Sequence, residues 1–588
     1  MQYSTPGVYV IEQNAFPNSV VEVATAIPAF IGYTEKAFYK GKGLKGIPTK
    51  VESLQDFVAF FGDAPIQQFT LAAVVVPVVT TAPAAGTTGE TTPAPIQAVK
   101  GALPLAVEAS ALTFVVNGAQ KKYTLAPAQS ALYYLYNSIR LFYLNGGSTC
   151  YIVSIGDCDN AASDKNDFES AIEALKFEQD PTMLLCPDAL RLNEAEYYEV
   201  TQQMLTHCAD MQSRVAIFDV YNGAMTDPRQ VGGSSSPIVT FRNSIGQNNL
   251  SYGIAYFPWV QTSIVSLNDV SFRNLTTASL DLLLADLNPD AAVAAVGAAA
   301  ETPVGAAAET PVTSPAVPKA STAKVVPILT NGTGPDAPDT ENIFTQAIKL
   351  QSPTVAVLPD PLALQAKRRD INNKLLALFP DYAQTLTTVA RYLSTLPVAP
   401  AMAGVYTATD SSRGVWKAPA NVSLNAVVAP TVSLSDITQG GLNVDAVSGK
   451  SINAIRPFKG LGVLVWGGRT LDGNSQDWRY VNVRRTMIMI EQSVKLAARA
   501  YVFEPNTPNT WTTLRSMINS FLFTLWKQGA LFGTSPAEAY SVNVGLGSTM
   551  TADDILNGML KVTVLVALVR PAEFIVLTFE QQMPGGGA

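Results

Sequence analysis

The spacing of hydrophobic and polar positions changes several times along this chain, and each change predicts a different kind of element. In the middle of the chain, short apolar runs alternate with segments whose apolar residues recur every three or four positions. The apolar runs are predicted strands and the segments between them are predicted helices. The strands are 150–155, 182–186, 214–219 and 252–257, and the helices are 165–177 and 193–209. Strands separated by amphipathic helices are typical of a parallel sheet covered by helices, so the pattern predicts an α/β region here.

The first residues of the chain alternate as a strand does, with Val8 and Val10 on one face and Tyr9 and Ile11 on the other. The segment 14–22 that follows is partly polar and contains a proline, so we expect this strand to stand apart from the body of the protein. A detached strand must pair with a sheet edge, because unpaired backbone groups are costly. That edge belongs either to the same subunit or to a neighbouring one.

Near the other end, a predicted helix opens at Thr510, carries a stripe of apolar residues and stops at Gly529. Beyond it, the apolar stretch 562–577 is interrupted by Arg570 and Pro571. A membrane-spanning helix needs about 20 predominantly apolar residues in a row. This stretch is therefore predicted to form two strands and not a membrane span.

Two segments differ from the rest in composition. Residues 64–128 are rich in Ala, Thr, Pro and Val and contain a predicted hairpin around Asn117 and Gly118. Residues 289–340 are of low complexity and contain the octapeptide VGAAAETP twice in succession. Two copies are too few for a solenoid, and the segment offers little apolar surface to offset the entropy of ordering. We interpret the two segments as a small β-rich insertion and a flexible surface loop.

Composition narrows the class of protein. The chain has 588 residues, of which 47% are hydrophobic and 15% charged, so it is long enough for several well-buried domains. Its net charge of −8 argues against a nucleic-acid partner, which requires clustered Lys and Arg. The N-terminus lacks the basic segment followed by an apolar core that is typical of a secretory signal, so no such signal is predicted. The four cysteines lack CxxC spacing, which favours core thiols over a disulfide or a metal site.

Candidate chemistry is sparse. His207 is the single histidine, and it adjoins Cys208 on a predicted helix, where consecutive side chains do not face each other. The sequence Ser448–Ser451 resembles the end of a phosphate-binding loop, but Val444 stands where that loop needs a glycine. We therefore predict no catalytic, cofactor or metal site, and a nucleotide-using α/β enzyme stays only as a remote alternative.

The densest part of the chain runs from Gly460 to Asn506, where an apolar run, a Gly-Gly turn, a polar loop and a long amphipathic helix follow one another. Its motifs are Trp466-Gly-Gly-Arg-Thr-Leu471, Trp478-Arg-Tyr-Val-Asn-Val-Arg-Arg485, Ile490-Glu491 and Val502-Phe-Glu-Pro-Asn506. Further motifs are Pro6-Gly-Val-Tyr-Val10, Asp410-SSRGVWKAPA-Asn421, Ile455-Arg-Pro457, Phe521-Leu522, Gly529-Ala-Leu531 and Pro571-Ala-Glu-Phe-Ile575. Together they resemble the contractile tail sheath proteins of phage tails, R-type pyocins and related bacterial contractile injection systems. The resemblance covers roughly the first sixty residues and everything after about 400.

This resemblance implies a mixed α/β fold with an α+β sheath core built from both chain termini, into which an α/β middle domain and a small β-rich module are inserted. We therefore expect four segments. Residues 1–63 would form an N-terminal arm and the first part of the core, and 64–128 the β-rich module. Residues 129–400 would form an α/β outer domain carrying the loop 289–340, and 401–588 the C-terminal core with a terminal strand arm.

The resemblance also implies the function: a structural subunit, not an enzyme, that polymerises helically around an inner tube in a metastable extended state and contracts to drive the tube through a target envelope. The implied partners are further copies of the chain, the inner tube protein, and baseplate and terminal cap proteins. Neither nucleic acid nor membrane insertion is implied. Assembly would take place in the bacterial cytoplasm, before the subunit becomes part of a phage tail or of a tail-like particle that is either extracellular or membrane-anchored. A static, non-contracting shell or tail subunit is the main alternative.

Three groups of residues are expected to serve this function. In the sheath family, terminal arms extend to neighbouring subunits, so strand arms are expected at both chain ends. The arm residues are Val8, Tyr9, Val10, Ile11, Phe574, Ile575, Val576 and Leu577. Charged residues within the apolar C-terminal block should form ion pairs, some within the subunit and some across the interface between subunits, because an unpaired buried charge costs several kcal/mol or more. These residues are Arg469, Arg479, Arg484, Arg485 and Glu491. Asp553, Asp554 and Asn557 are candidates for contact with the inner tube, although the two acids are equally well explained as helix-capping residues at a helix start.

Overall fold

The structure is a computed structural model of the whole chain. It describes residues 20–74, 110–116, 119–128, 132–158, 163–225, 227, 231, 233, 236–287, 343–351, 361–445 and 447–578. The predicted N-terminal arm at Val8–Ile11 and the loop 289–340 lie outside these residues. The chain forms two compact units. One takes its residues from Met1–Pro65, Tyr133–Ile264 and Ser394–Ala588, and the other from Ile66–Leu132 and Val265–Leu393.

The elements are numbered in chain order. The strands are β1 (Pro28–Thr34), β2 (Phe38–Tyr39), β3 (Lys42–Gly43), β4 (Thr49–Val51), β5 (Phe69–Ala73), β6 (Ser110–Val116), β7 (Ala119–Pro127), β8 (Cys150–Asp157), β9 (Met183–Leu185), β10 (Val215–Asp219), β11 (Gly253–Phe257), β12 (Val260–Thr262), β13 (Thr395–Leu396), β14 (Val422–Ser423), β15 (Val427–Pro430), β16 (Asn453–Phe458), β17 (Gly462–Trp466), β18 (Tyr540–Val544) and β19 (Val562–Val566). The helices are α1 (Leu54–Phe61), α2 (Leu135–Leu144), α3 (Lys165–Ala174), α4 (Glu194–Met211), α5 (Pro237–Ser244), α6 (Thr277–Leu287), α7 (Ile343–Gln351), α8 (Pro361–Leu378), α9 (Pro380–Leu393), α10 (Ala399–Arg413), α11 (Asp436–Asn443), α12 (Val481–Ala498), α13 (Pro508–Lys527), α14 (Pro536–Ala539) and α15 (Ala552–Leu556).

The first unit is organised around a nine-stranded sheet in the order β14-β17-β16-β11-β10-β9-β1-β8-β4. Its six central strands, from β16 to β8, run parallel to one another, and antiparallel strands complete both sides. All residues of β1, β9, β10 and β11 are buried. Burial on both faces explains why these strands have continuous apolar runs without alternation.

The C-terminal part of the first unit has a separate apolar core. Helices α12 and α13 pack with β18 through buried side chains such as Met489, Ile518, Leu522 and Val542. The buried positions of α13 recur three and four residues apart, as one face of a helix requires. Strands β18 and β19 pair antiparallel, with Val542 opposite Val564. This core supports the two strands from one side.

The second unit combines an antiparallel sheet, in the order β5-β7-β6, with helices α6–α9. Phe69 of β5 and Tyr392 at the end of α9 pack with ring centroids 5.5 Å apart. The hydroxyl of Ser279 on α6 accepts a hydrogen bond from the Leu71 amide of β5 at 2.8 Å. Sheet and helices therefore share one core, although they lie far apart in the sequence.

The mixed α/β fold class agrees with the prediction, but the units divide the chain differently from the expected boundaries. From residue 66 onward, the module 64–128 belongs to one unit with residues 265–393, because its strand β5 packs against α6. The predicted outer domain 129–400 is split, since its parallel strands join the same sheet as β1 and β16 from the two chain ends. Long-range strand pairing, which local spacing does not encode, accounts for the difference.

Candidate functional site

A two-stranded sheet with open edges lies in the C-terminal core. Strands β18 and β19 pair only with each other within the described residues. Along β19, half-buried Val562, Val564 and Val566 alternate with exposed Thr563 and Leu565, which is the pattern of a strand with one packed face. An open edge presents unpaired N–H and C=O groups that favour pairing with another strand. The sheet can therefore accept further strands.

The second feature is an exposed apolar segment at Phe574–Leu577. Its side chains are 72–87% exposed, and the segment adopts no regular secondary structure. The sequence prediction of a second strand in 562–577 is therefore not met within this chain, where β19 is the one strand that forms. Two of the four residues are β-branched and one is aromatic, types that are enriched in strands. The segment has strand-forming side chains and no described strand to pair with.

Directly before this segment, Glu573 is held by three side chains. Arg469 donates from Nε to both carboxylate oxygens at 3.0 and 3.1 Å, and from Nη2 to Oε2 at 2.6 Å. Asn443 donates from Nδ2 to Oε1 at 2.7 Å, and the Tyr480 hydroxyl donates to Oε2 at 3.2 Å. Burial alone would raise the pKa of Glu573, but the hydrogen bonds from Arg469 and Asn443 lower it below its usual value. The carboxylate is thus fixed in its charged form. We call this group of four residues the Glu573 clamp.

Arg485, on α12, forms the second buried ion pair. It donates from Nη1 to Asp410 Oδ1 at 2.9 Å and from Nη2 to Oδ2 at 2.6 Å, the two-point geometry that suits guanidinium and carboxylate. Thr25 joins this pair: its hydroxyl donates to Asp410 Oδ2 at 2.6 Å, and its carbonyl accepts from Arg485 Nη2 at 2.8 Å. The side chains of both charged residues are almost completely buried. We call these three residues the Thr25 clamp.

The other predicted ion-pair residues are placed differently. The guanidinium carbon of Arg484 lies 3.9 Å from the centroid of the Tyr252 ring and 4.6 Å from that of Trp478. Arg479 donates from Nε to the carbonyl oxygen of Ser475, and Glu491 is exposed. None of the three lies within ion-pair distance of an opposite charge among the described residues, although Arg484 and Glu491 on α12 attract each other electrostatically. Arg484 is also stabilised by the two aromatic faces, which attract cations through their quadrupoles.

Of the three candidate tube-contact residues, Asp554 is engaged inside the subunit. It accepts from the amide and hydroxyl of Thr551 at the start of α15, and from Lys561 Nζ at 2.7 Å. These hydrogen bonds, that from Lys561 most of all, lower the pKa of Asp554 to about 2. Asp553 and Asn557 are exposed. A contact with another protein would therefore involve Asp553 and Asn557 more directly than Asp554.

The groups that suggested other chemistry have structural partners. Lys450 is buried and donates to the carbonyl oxygen of Arg242, so it does not face an open loop as a phosphate-binding lysine would. His207 lies next to Arg214, and burial together with that cation lowers the pKa of His207 to about 4. The described residues contain no cluster of His, Cys, Asp or Glu that could hold a metal ion. Among the helices in the same ranges, none is both long and apolar enough to cross a membrane.

Sequence reasoning missed the partners of the two ion pairs. Asp410 and Glu573 both lie within quoted motifs, but nothing local connects them to an arginine 75 or 104 positions away. Thr25 was not identified at all. The usable signal was the rule that a buried arginine needs a partner, and that rule does not say which carboxylate supplies it.

Comparison with known proteins identifies this C-terminal region. A family described as the phage tail sheath C-terminal domain matches residues 474–582. The tail sheath protein of Vibrio phage KVP40 is 24% identical over 137 residues, which cover 23% of this chain and 20% of that protein. The matched segment is thus about a fifth of that relative's length.

Solved structures extend the likeness to the full chain. The sheath complex of an extracellular contractile injection system, PVC, in its contracted state aligns with a TM-score of 0.53 at 22% identity, covering 99% of both chains. The contracted helical sheath of the anti-feeding prophage aligns with a TM-score of 0.52 at 23% identity, covering 99% of this chain and 100% of the other. A chain of that prophage's baseplate structure gives 0.51 at 23% identity, with the same coverage. At these identities the likeness concerns the fold.

The matched family and structural neighbours are structural sheath proteins and not enzymes. Residues 474–582 therefore match the phage tail sheath C-terminal domain by sequence, and the chain as a whole shares its fold with contractile sheath structures.

Proposed function

We propose that this protein is the subunit of a contractile sheath, which polymerises helically around an inner tube and contracts to drive that tube through a target envelope. The observation that carries the proposal is the open β18–β19 sheet together with the exposed apolar segment Phe574–Leu577, in a region that matches the sheath family. A strand acceptor and a strand donor on one chain allow each copy to pair with the next. Contacts of this head-to-tail kind that do not close into a ring produce a helical polymer.

Strand exchange suits a polymer that changes shape. Main-chain hydrogen bonds between an added strand and a sheet edge give affinity, and they persist when the two subunits move as rigid bodies. In this proposal Phe574–Leu577 forms the C-terminal arm, and Val8–Ile11, outside the described residues, forms the N-terminal arm. Both arms would complete the sheet of β18 and β19 in neighbouring subunits.

The proposed stroke needs no cofactor. Subunits held in a metastable extended lattice would rotate and repack once released at the baseplate. A gain of a few kcal/mol per subunit, multiplied over a long polymer, provides the work. The partners in this scheme are other copies of the chain, the inner tube, the baseplate and a terminal cap.

The remaining surfaces are assigned within the same proposal. The C-terminal core, with exposed Asp553 and Asn557, would form the wall that faces the tube. The unit formed by Ile66–Leu132 and Val265–Leu393 would decorate the outside of the sheath. The subunit would assemble in the cytoplasm and then belong to a phage tail or tail-like particle.

Electron microscopy of the purified assembly tests contraction. We expect long narrow tubes and short wide tubes in negative stain, the second form appearing after the sheath is triggered. Tubes of one fixed diameter would favour a static shell. Discrete globular particles would contradict a sheath altogether.

A pair of variants at Ile575 tests strand exchange. Ile575→Pro removes a backbone N–H that an added strand needs, whereas Ile575→Thr keeps the N–H and a β-branched side chain. We expect assembly to fail for the proline variant and to persist for the threonine variant. Deleting residues 1–12 should likewise abolish ordered assembly while the subunit stays folded. Equal assembly of both Ile575 variants would show that this segment does not add to a sheet.

A further inference from the structure

Each segment leading to a proposed arm is fixed by a buried arginine–carboxylate pair. We propose that the Thr25 clamp and the Glu573 clamp are mechanical anchors, which hold the roots of the N-terminal and C-terminal arms while neighbouring subunits pull on them. This inference rests on the proposed function, because an anchor matters only if the arms carry a load. It assigns Thr25, Asp410, Arg485, Arg469 and Glu573 as positioning residues for the arms.

The C-terminal root is marked by a sudden change in burial. The Glu573 side chain accepts hydrogen bonds from three residues, yet Phe574 directly after it is 72% exposed. A pull on the exposed segment Phe574–Leu577 would therefore reach the folded core first at Glu573. Charge-assisted hydrogen bonds are stronger than neutral ones and directional, which suits them to resist such a pull.

The N-terminal root is held in the same manner. The segment Val23–Ile27, here the N-terminal strap, precedes β1 and follows the residues proposed as the N-terminal arm. Its Val23 amide donates to Ser493 Oγ on α12 at 3.1 Å, and its Ile27 amide donates to Thr182 Oγ1 at 2.9 Å. Thr25, between them, joins the Arg485–Asp410 pair. Side chains distant in sequence thus bind the strap at several points.

Packing alone does not hold this strap. A cavity of about 360 Å³ is lined by Val23, Ala24 and Thr25 of the strap and by Ile488 and Met489 of α12, so the strap and the helix do not fill the space between these residues completely. Val23 does pack against the apolar cluster that contains Met489. The strap is therefore attached to α12 by the packing of Val23 together with hydrogen bonds, above all those of the Thr25 clamp.

Both clamps connect to one ordered stretch of chain, from Arg469 to Arg485. Arg469 pairs with Tyr480 in a β-bridge, which brings the two ends of the intervening loop together. Asn482 donates from Nδ2 to the carbonyl oxygen of Val569, just before the C-terminal root. A load on either arm therefore enters the same structural element. An anchor placed there would transmit the rotation of a subunit to both arms together.

Stability alone does not require these ion pairs. Replacing a buried ion pair with apolar residues of similar volume is often neutral or stabilising, so the presence of a pair is weak evidence for a stabilising role. Apolar contacts, however, have little directional preference. Two-point hydrogen bonding fixes both the position and the direction of a bound segment, which an arm root requires.

A conservative series at Thr25 tests the N-terminal anchor. Thr25→Val removes the hydrogen bond to Asp410 and keeps the ion pair, whereas Thr25→Ser keeps the hydroxyl. The matched control is Thr201→Val, which removes a buried threonine hydroxyl whose partner is the carbonyl oxygen of Tyr198 within α4. We expect unassembled Thr25→Val and Thr201→Val subunits to melt within a few degrees of each other. After contraction, the fraction of sheaths that stay continuous in electron micrographs should fall about tenfold for Thr25→Val only, the change that one charge-assisted hydrogen bond supports.

Glu573→Gln tests the C-terminal anchor in the same assay. Its control is Asp286→Asn, which neutralises a mostly buried carboxylate that pairs with Lys121 among the residues of the second unit. Hydrogen exchange of the Phe574–Leu577 amides in extended sheaths provides a second readout. We expect these amides in Glu573→Gln to be as protected as in wild type, because the arm still pairs. The Glu573→Gln sheaths should break only on contraction. If that variant does not fold, Tyr480→Phe removes one hydrogen bond of the clamp and should cause the same defect to a smaller degree.

The outcomes separate this inference from the proposed function. If wild-type protein forms no contractile sheath, the proposed function fails. If wild-type sheaths contract and the clamp variants contract as continuously as their controls, the anchor inference fails alone. Loss of amide protection in extended Glu573→Gln sheaths would also overturn it, since the residue would then act on pairing and not on the root.

Discussion

Asp219 should make the stability of the subunit fall as the pH rises from acid to neutral. This residue ends strand β10 and is buried, and its carboxylate faces the first turn of α10. Oδ1 accepts from the amides of Val398 and Ala399 at 2.7 and 3.0 Å. Burial, with no cationic partner among the described residues, nevertheless outweighs these two hydrogen bonds and raises the pKa of Asp219 to about 7.

The direction of this pH dependence follows from the two protonation states of Asp219. A carboxyl group with a raised pKa binds its proton more tightly in the folded chain than in the unfolded chain, so ionisation favours unfolding. The contribution is fully present below the ordinary pKa of 3.8 and is lost as the pH rises through about 7. Each unit of pKa shift is worth about 1.4 kcal/mol, so the loss over this window amounts to about 4 kcal/mol.

The measurement compares wild-type protein with Asp219→Asn, which keeps an oxygen acceptor for the α10 amides but does not ionise. Urea unfolding of the unassembled subunit from pH 4.5 to 8 can be followed by intrinsic tryptophan fluorescence, to which Trp259, buried in the same unit, contributes. We expect the variant to gain stability relative to wild type as the pH rises. His207, which titrates with the opposite sign in this window, is common to both proteins and cancels in the difference.

A constant difference between the two proteins across this pH range would refute the reasoning. It would mean that the carboxylate is ionised throughout, with the N-terminal turn of α10 offsetting the cost of burial. In that case Asp219→Asn should be the less stable protein at every pH, because a charged cap at a helix N-terminus would have been removed.

Two further predictions concern the first unit. Gly404→Ala should destabilise the subunit by about 1–3 kcal/mol, because a Cβ there would lie 2.5 Å from the carbonyl oxygen of Phe142. Gly440→Ala in α11 should stabilise it by up to about 1 kcal/mol, because a Cβ there meets no atom within 4 Å. Chemical denaturation measures both free energies of unfolding, and equal effects would contradict the packing argument. Burial raises the pKa of the Cys150 and Cys208 thiols to about 12, so a thiol reagent at pH 8 should modify them only after unfolding, and rapid modification of the native protein would contradict their burial.

Local spacing was sufficient to predict much of the fold. The alternation of apolar runs and amphipathic segments predicted strands β8–β11 and helices α3 and α4, because each depends on residues close in sequence. The same reasoning did not place β1 within that sheet, between β8 and β9. It also did not join β5 with α6, because strand partners are chosen by long-range packing.

The candidate site was predictable to a lesser degree. The cost of burying a charge correctly drew attention to Arg469 and Arg485, but it did not identify Glu573 and Asp410 as their partners. Arg484 packs between aromatic rings, and no carboxylate among the described residues lies within ion-pair distance of it, so its ion pair stays a prediction. Aromatic and carboxylate partners satisfy an arginine in different ways, and the sequence around Arg484 does not distinguish them.

The exposed segment Phe574–Leu577 also sets the strength of the proposed contact. Burying such side chains contributes roughly 1.5–3 kcal/mol each, so four of them provide about 6–12 kcal/mol. Association of two free subunits costs about 4–15 kcal/mol in lost translational and rotational freedom, before the arm itself is ordered. One arm is therefore marginal for a stable dimer. In a lattice, each subunit both gives and receives arms, so the free energies of several such contacts add for a subunit that joins a preformed end. Growth from that end is therefore favoured over the association of two free subunits.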